Sequence, residues 1–256
     1  MKIVVAMRQI ADLVEELEID SSGVDIDREF VKFVSNEWDE AALEEALCLK
    51  ETHGGEVIVV GLDEVDFDQS LYGALAKGAD RAVKLTGDFS GWTSTGERAA
   101  ILAAWLKGSD FDLVLTGVQA ADDLDGQLAG VLAARLGVAH AAVVVQVEPE
   151  GDKVKITQEV GGGTTISSLA TTPLVLGIQA ARQAPRYVPI SRVRAAMAAG
   201  GIETVEADLG STVAAPRVRR LYAPESKGGA TMIAGKPDEV AAKIVELIRS
   251  KGLINS

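Results

Sequence analysis

Residues 111–130 read FDLVLTGVQAADDLDGQLAG. An apolar run from Asp112 to Gly117 ends in glycine, passes through a loop of small residues and enters a helical pattern near Gly126. Strand, glycine turn and helix in that order form the repeating unit of a doubly wound sheet, whose turns offer backbone N–H groups to a phosphate at the strand's carboxyl end. Asp122, Asp123 and Asp125 lie in this turn and repel an anion. The turn therefore has the position of a nucleotide loop and a charge that opposes one.

The surrounding chain repeats the unit. Lys2–Met7 (KIVVAM), Glu56–Gly61 (EVIVVG) and Arg81–Leu85 (RAVKL) are apolar almost without interruption, as strands buried on both faces are. Between them lie helical patterns. Asn36 is placed to cap WDEAALEEALCLKE, with Trp38, Ala42, Ala46 and Leu49 on one face and Gly54-Gly55 as the stop. Further helices are expected at Asp68–Lys77 and Thr95–Lys107, stopped by Gly78 and Gly108. This alternation predicts an α/β fold with a doubly wound, mostly parallel sheet that binds ligands at the carboxyl ends of its strands. After residue 140 the pattern turns strand-rich, with a hairpin around Pro149–Asp152, a turn at Gly161-Gly162-Gly163 and strands extending the same sheet. Residues 1–200 are expected to form this domain, and 201–256 a C-terminal extended arm ending in an amphipathic helix, Pro237–Ser250, with Val240, Ile244, Leu247 and Ile248 on one face.

The totals exclude several function classes. A formal net charge of -13 opposes a nucleic-acid surface. Cys48 is the only cysteine, so no intrachain disulfide forms, and with His53 and His140 as the only histidines a Cys/His metal centre is not expected. At helical spacing beside Leu47 and Leu49, Cys48 reads as a small hydrophobe. The opening MKIVVAMRQIADL is too short in apolar residues for a signal peptide or membrane span, and the setting is expected to be cytoplasmic. No P-loop, no G-x-G-x-x-G after the first strand and no G-x-S-x-G motif is present, so no catalytic residues are assigned.

Five segments in order, VVAMRQIAD, NEWDEAALEEALCLKE, ALAKGADRAVKL, DLVLTGVQAADD and APRYVPISRVRAAM, resemble the β subunit of electron transfer flavoproteins over roughly the first 200 residues. The tail RVRRLYAPESKGGATMIAGK and the NEWD variant are similar to the methylotroph-type branch. The resemblance implies an adenine nucleotide alpha hydrolase-like fold, with the arm embracing an α subunit. It implies a non-enzymatic electron carrier, a heterodimer whose α subunit holds the FAD while β braces it and binds AMP. Electrons arrive from a flavin dehydrogenase. Carried over by position, the AMP site comprises Ala6, Asn36, Glu37, Trp38, Asp39, Leu62 and the turn Gly117, Val118, Gln119, Ala120, Ala121, Asp122, Asp123, Leu124, Asp125, Gly126, Gln127 and Leu128.

The family's Asn-Gln-Thr triplet here reads Gly126-Gln127-Leu128, so main-chain donors would carry the phosphate. Bifurcating relatives, with a second FAD in this cavity, read approximately Asp-Gly-Asp-Thr where this chain has Asp122, Asp123, Leu124 and Asp125, and the added acid argues against bifurcation. Leu13 matches a position near the flavin of α. The loop near 182–200 matches the dehydrogenase-recognition segment, with Pro185, Arg186 and Tyr187 leading to Ile190 at the apolar anchor and Arg182, Arg192 and Arg194 steering by charge. Packing of Ile190 on its own helix is the plainer alternative. Two other readings stand beside the carrier: a stand-alone adenine-nucleotide-binding protein of the universal stress type, and a structural subunit with an empty nucleotide pocket.

Overall fold

The strand KIVVA, Lys2–Ala6, sits at the centre of the molecule and shows why the sheet is covered on both faces. Ile3 and Val5 enter one apolar cluster, Val4 and Ala6 another, and all four are at most 3 % exposed. The computed structural model describes residues 1–89, 91–123, 126–208, 216–224 and 228–254. In chain order its elements are β1 Lys2–Ala6, β2 Gln9–Ala11, β3 Phe33–Ser35, α1 Glu37–His53, β4 Glu56–Leu62, α2 Phe67–Lys77, β5 Arg81–Thr86, α3 Thr95–Leu106, β6 Leu113–Gly117, α4 Leu128–Leu136, β7 Ala139–Glu150, β8 Lys153–Glu159, β9 Thr165–Thr171, β10 Leu174–Ile178, α5 Ile190–Ala199, β11 Ile202–Glu206 and α6 Pro237–Ser250.

Among the described residues nine strands form one sheet in the order β11-β5-β4-β1-β6-β10-β7-β8-β9. The pairings from β11 to β7 are parallel, and β7-β8 and β8-β9 are antiparallel. α1 and α2 pack into the cluster holding Ile3 and Val5, whereas α3 and α4 pack into that holding Val4 and Ala6. The chain thus winds outward from β1 to β5 on one side, then crosses to β6 on the other. That reversal opens a crevice at the carboxyl ends of β1 and β6, where open α/β sheets take their ligands.

Local chemistry sets the ends. α1 stops at Gly54 in a positive-φ conformation (72°) that a side chain would strain. At the start of α3, Ser94 and Glu97 form a capping box. The expected hairpin closes at Gly151-Asp152 between β7 and β8, and Gly161 to Gly163 turn β8 into β9. Past residue 200, where little periodicity is visible, β11 joins the sheet edge by pairing with β5 from Ile202↔Ala82 to Glu206↔Thr86. The chain divides into one compact unit over Met1–Leu221 and a second over Tyr222–Ser256. Within the second, α6 leaves Ile244, Val245 and Leu247 exposed.

Candidate functional site at the strand ends

Ala6, Leu62 and Gly117 end β1, β4 and β6 and are all buried. The first turn of α1 lies directly on them. A Cβ at Gly117 would come 2.6 Å from Asp39 Oδ1 and 2.7 Å from Trp38 Cβ, so only glycine permits this approach. Asp39 uses it: Oδ1 accepts the Gly117 N–H at 2.8 Å and Oδ2 accepts the Arg8 N–H at 3.0 Å. One carboxylate therefore ties α1 to the ends of two strands. Burial pushes the Asp39 carboxyl up to about 6, against the opposing pull of Arg8 and of these hydrogen bonds.

Asn36 occupies the N-cap position of α1, but its side chain makes no capping bond. Its amide donates instead to the Gln119 carbonyl at 2.9 Å, because the turn after β6 passes within reach. Cap residues are chosen by local sequence, and here a tertiary partner has taken the side chain. Glu37 next to it is exposed and Trp38 partly buried.

Asp122 and Asp123 face a cation, and Asp123 a hydroxyl as well. Arg8, 4 % exposed, donates to Asp123 at 3.0 Å and lies 3.5 Å from Asp122, near enough for attraction and too far for a hydrogen bond. Asp123 also accepts from the Thr95 hydroxyl at 2.7 Å, at the start of α3, and the Trp92 indole donates to the Asp122 carbonyl at 3.0 Å. Two further main-chain donors of the turn are engaged: the Val118 N–H bonds Ile178 O at 2.9 Å and the Asp123 N–H bonds Ala120 O at 3.0 Å. Ala120 is buried, Ala121 and Gln119 are exposed, and Leu124 and Asp125 lie outside the described residues. Gly126 has φ 58°, and Gln127 then serves as N-cap of α4, without a side-chain capping bond, ahead of buried Leu128.

Sequence reasoning missed Arg8, Arg98 and Glu64 here. Arg98 is 3 % exposed and pairs with Glu64 at the end of the β4 turn, while its Nε–H has no partner among the described residues. The signal was present: Arg98 falls four residues before Leu102 and eight before Leu106, on the buried stripe of α3. Between these groups a cavity of about 10 Å³, room for about one water, is lined by Ala6, Arg8, Asp39, Leu62, Arg98 and Leu128. A larger cavity of about 250 Å³ lies beyond Glu64 and Asp122, lined by Leu13, Phe33, Trp92 and Leu221 among others. Leu13, expected near a flavin, is 65 % exposed there.

The electron transfer flavoprotein domain matches residues 25–209. The chain is 38% identical over 260 residues to the electron transfer flavoprotein subunit beta of Methylophilus methylotrophus, covering 97% of this chain and 98% of that one. The chain belongs to the electron transfer flavoprotein β-subunit family. It is also 31% identical to the subunit beta of Clostridium acetobutylicum (99% of this chain, 100% of that one). Against the caffeyl-CoA reductase-Etf complex subunit CarD of Acetobacterium woodii it is 30% identical, with 99% of this chain and 100% of the relative covered.

In this electron transfer flavoprotein β chain the segment after β10 is held down by two arginines. Arg182 binds Glu45 at 2.7 Å and the Val147 carbonyl at 2.7 Å, and Arg186 binds Glu44 at 2.9 Å and Glu51 at 2.5 Å. Glu44 and Glu45, each at most 1 % exposed, are buried acids of α1 like Asp39, and sequence reasoning passed over them. Burial alone would raise the Glu44 pKa, but hydrogen bonds from Arg186 and Gln183 outweigh it and hold the carboxyl down at about 2. Arg182 and Arg186 are thus paired with acids of α1; Arg182, Arg192 and Arg194 are exposed, and Arg186 is half-buried. Pro185 is exposed, Tyr187 is 87% exposed, and Ile190, the first residue of α5, is 67% exposed. Cys48 is buried, and burial pushes its thiol up, as for an inert thiol.

Proposed function

We propose that this chain is the β subunit of a cytoplasmic heterodimeric flavoprotein. It braces an α subunit that carries FAD and presents the complex to a flavin dehydrogenase, from which electrons pass on to an acceptor. Bound FAD supplies the redox chemistry, taking up and releasing electrons singly or in pairs. The observation that carries this reading, beyond family membership, is the segment Pro185–Ile190: two exposed apolar side chains, Tyr187 and Ile190, stand on a backbone that Arg186 rivets to α1. A rigid exposed anchor of this kind docks at low entropic cost. The residues past 200, with the uncovered stripe of α6, are assigned to embracing α, and Leu13 to the flavin's surroundings. In this reading residues 1–200 are the α/β domain and 201–256 the arm, of which β11 pairs with β5 at the sheet edge.

Co-expression with an FAD-binding α chain is expected to yield a yellow 1:1 heterodimer; a stable colourless monomer indifferent to such a chain would remove the proposal. Replacing Ile190 by alanine is expected to weaken dehydrogenase docking by about 2 kcal/mol, roughly 30-fold, while leaving FAD content unchanged. Stopped-flow reduction of the FAD at increasing heterodimer concentration measures it. No helix among the described residues is long and apolar enough to cross a membrane.

The family further implies AMP at the strand ends, and the residues there fit it poorly. The cavity has room for about one water, and the cations that would face a phosphate are held by carboxylates.

A further inference from the structure

We propose that in this subunit the Arg98–Glu64 ion pair, with Arg8 and its aspartates, takes the place of the nucleotide: the strand-end pocket is closed by the chain's own side chains and does not take AMP. The inference rests on the reading of the chain as an electron transfer flavoprotein β subunit. It replaces the AMP part of that reading and leaves the carrier role intact.

Three observations converge. Space is the first: the cavity at the ends of β1 and β4, lined by Ala6, Asp39, Leu62 and Leu128 of the expected AMP site, measures about 10 Å³, whereas the one of about 250 Å³ touches that site only at Ala121 and Asp122. Arg98 and Leu128 both border the smaller one, and the Arg98 side chain, almost fully buried, fills volume that a nucleotide needs.

Charge is the second. Two guanidinium groups, Arg8 and Arg98, face four carboxylates, Asp39, Glu64, Asp122 and Asp123. The acids already outnumber the cations. A phosphate drawn to Arg98 would have to displace Glu64, which its pairing leaves only 12% exposed, and would strand that carboxylate without a partner. Displacing Asp123 from Arg8 would also break the contact network that Asp123 shares with Thr95.

Donors are the third. The N–H groups of Gly117 and Arg8 are taken by Asp39, so two strand-end amides are closed to an external anion and only the α4 start at Gly126 to Leu128 is left to receive one. The one orphaned polar atom of Arg98, its Nε–H, needs a single acceptor, and a space of this size holds one water to supply it.

The test uses the co-expressed α/β heterodimer. Acid extraction followed by chromatography is expected to release FAD from the wild-type complex without stoichiometric AMP, and calorimetric titration with AMP is expected to show no binding. The paired substitution Arg98→Val with Glu64→Ala opens the pocket and removes one carboxylate, and is expected to tighten AMP binding by about tenfold or more. The isosteric pair Arg98→Met with Glu64→Gln, which keeps the volume filled, separates space from charge and guards against a misfolded first variant. About one AMP per FAD in the wild-type complex would overturn the inference while the carrier reading stood. A wild-type complex without AMP whose opened variant gained none would overturn the assignment of exclusion to Arg98 and Glu64. Failure to obtain any FAD-containing heterodimer would strike the carrier reading itself, and FAD content reports that separately from AMP.

Discussion

Alanine at position 39 is expected to destabilise the protein by about 3 kcal/mol at neutral pH. Two buried N–H groups, of Gly117 and Arg8, lose their acceptor, and each orphaned donor costs about 1–3 kcal/mol. Relief of the buried charge offsets part of this, which is why the expected net is below the sum. In a chain of this size the loss lowers Tm by roughly 6–12 °C, readable by circular dichroism. Asp39→Asn separates the two contributions. Because the folded-state pKa of about 6 lies above the ordinary 3.8, the folded protein binds this proton more tightly than the unfolded chain. The stabilisation from that proton is full below pH 3.8 and is lost as pH rises through about 6, a span worth about 3 kcal/mol. Wild-type stability relative to Asp39→Asn should therefore fall between those pH values and level off above them. A difference that is flat over this window would show that Asp39 is not the buried, strained acid described.

Removing the Arg186 guanidinium has an effect of similar size through the opposite electrostatics. In Arg186→Ala, Glu44 remains buried with only the neutral Gln183 amide and Cys48 thiol as side-chain partners, and an ion pair broken in this way costs about 3 kcal/mol, the lower end of the range for buried pairs because Arg186 is itself 25% exposed. The pH dependence has the reverse sign to that of Asp39. A folded-state value of about 2 against an ordinary 4.5 means that the Glu44 contribution is present above pH 4.5 and lost as pH falls toward 2. The stability gap between wild type and Arg186→Ala is thus expected to be widest near neutrality and to shrink in acid. Denaturant titrations at pH 7 and pH 3.5 compare the two conditions. The same variant frees the segment bearing Tyr187 and Ile190, so docking to a dehydrogenase should weaken even though both apolar side chains remain. Docking unaffected by Arg186→Ala would mean that rigid presentation plays no part in recognition.

These two acids also mark where local sequence stops being informative. Glu44 and Glu45 lie in LEEALCLK, which reads as an amphipathic helix with solvated charges, yet both side chains are buried under a segment that arrives about 140 residues later. Asn36 illustrates the same limit: its position at the start of α1 is legible from residue type, but the choice between its own helix and the Gln119 carbonyl depends on the turn after β6.

Four inner strands, β1, β4, β5 and β6, are by contrast legible to within a residue at each end. Runs such as KIVVA and EVIVVGL are apolar at every position because each face of a parallel sheet is covered by helices, and glycines at 54 and 78 stop α1 and α2. Short segments in order carried the family, since they sit on strand ends and helix starts whose spacing the sheet dictates. β11 was not legible, because an edge strand of five residues with alternate positions exposed leaves little periodicity.

In GVQAADDLDGQLAG the residue types and order establish a strand-to-helix turn, because backbone conformation and burial leave a local periodic trace. Which charge meets which does not: Arg8 finds Asp123 across 115 positions and Arg98 finds Glu64 across 34, and no window of sequence reports such a pairing. Only the packing of α1, α3 and the turn onto three strand ends turns Asp122 and Asp123 from acids that repel an anion into partners of buried Arg8. Coulomb energy depends on separation in space, whereas sequence patterns record only separation along the chain.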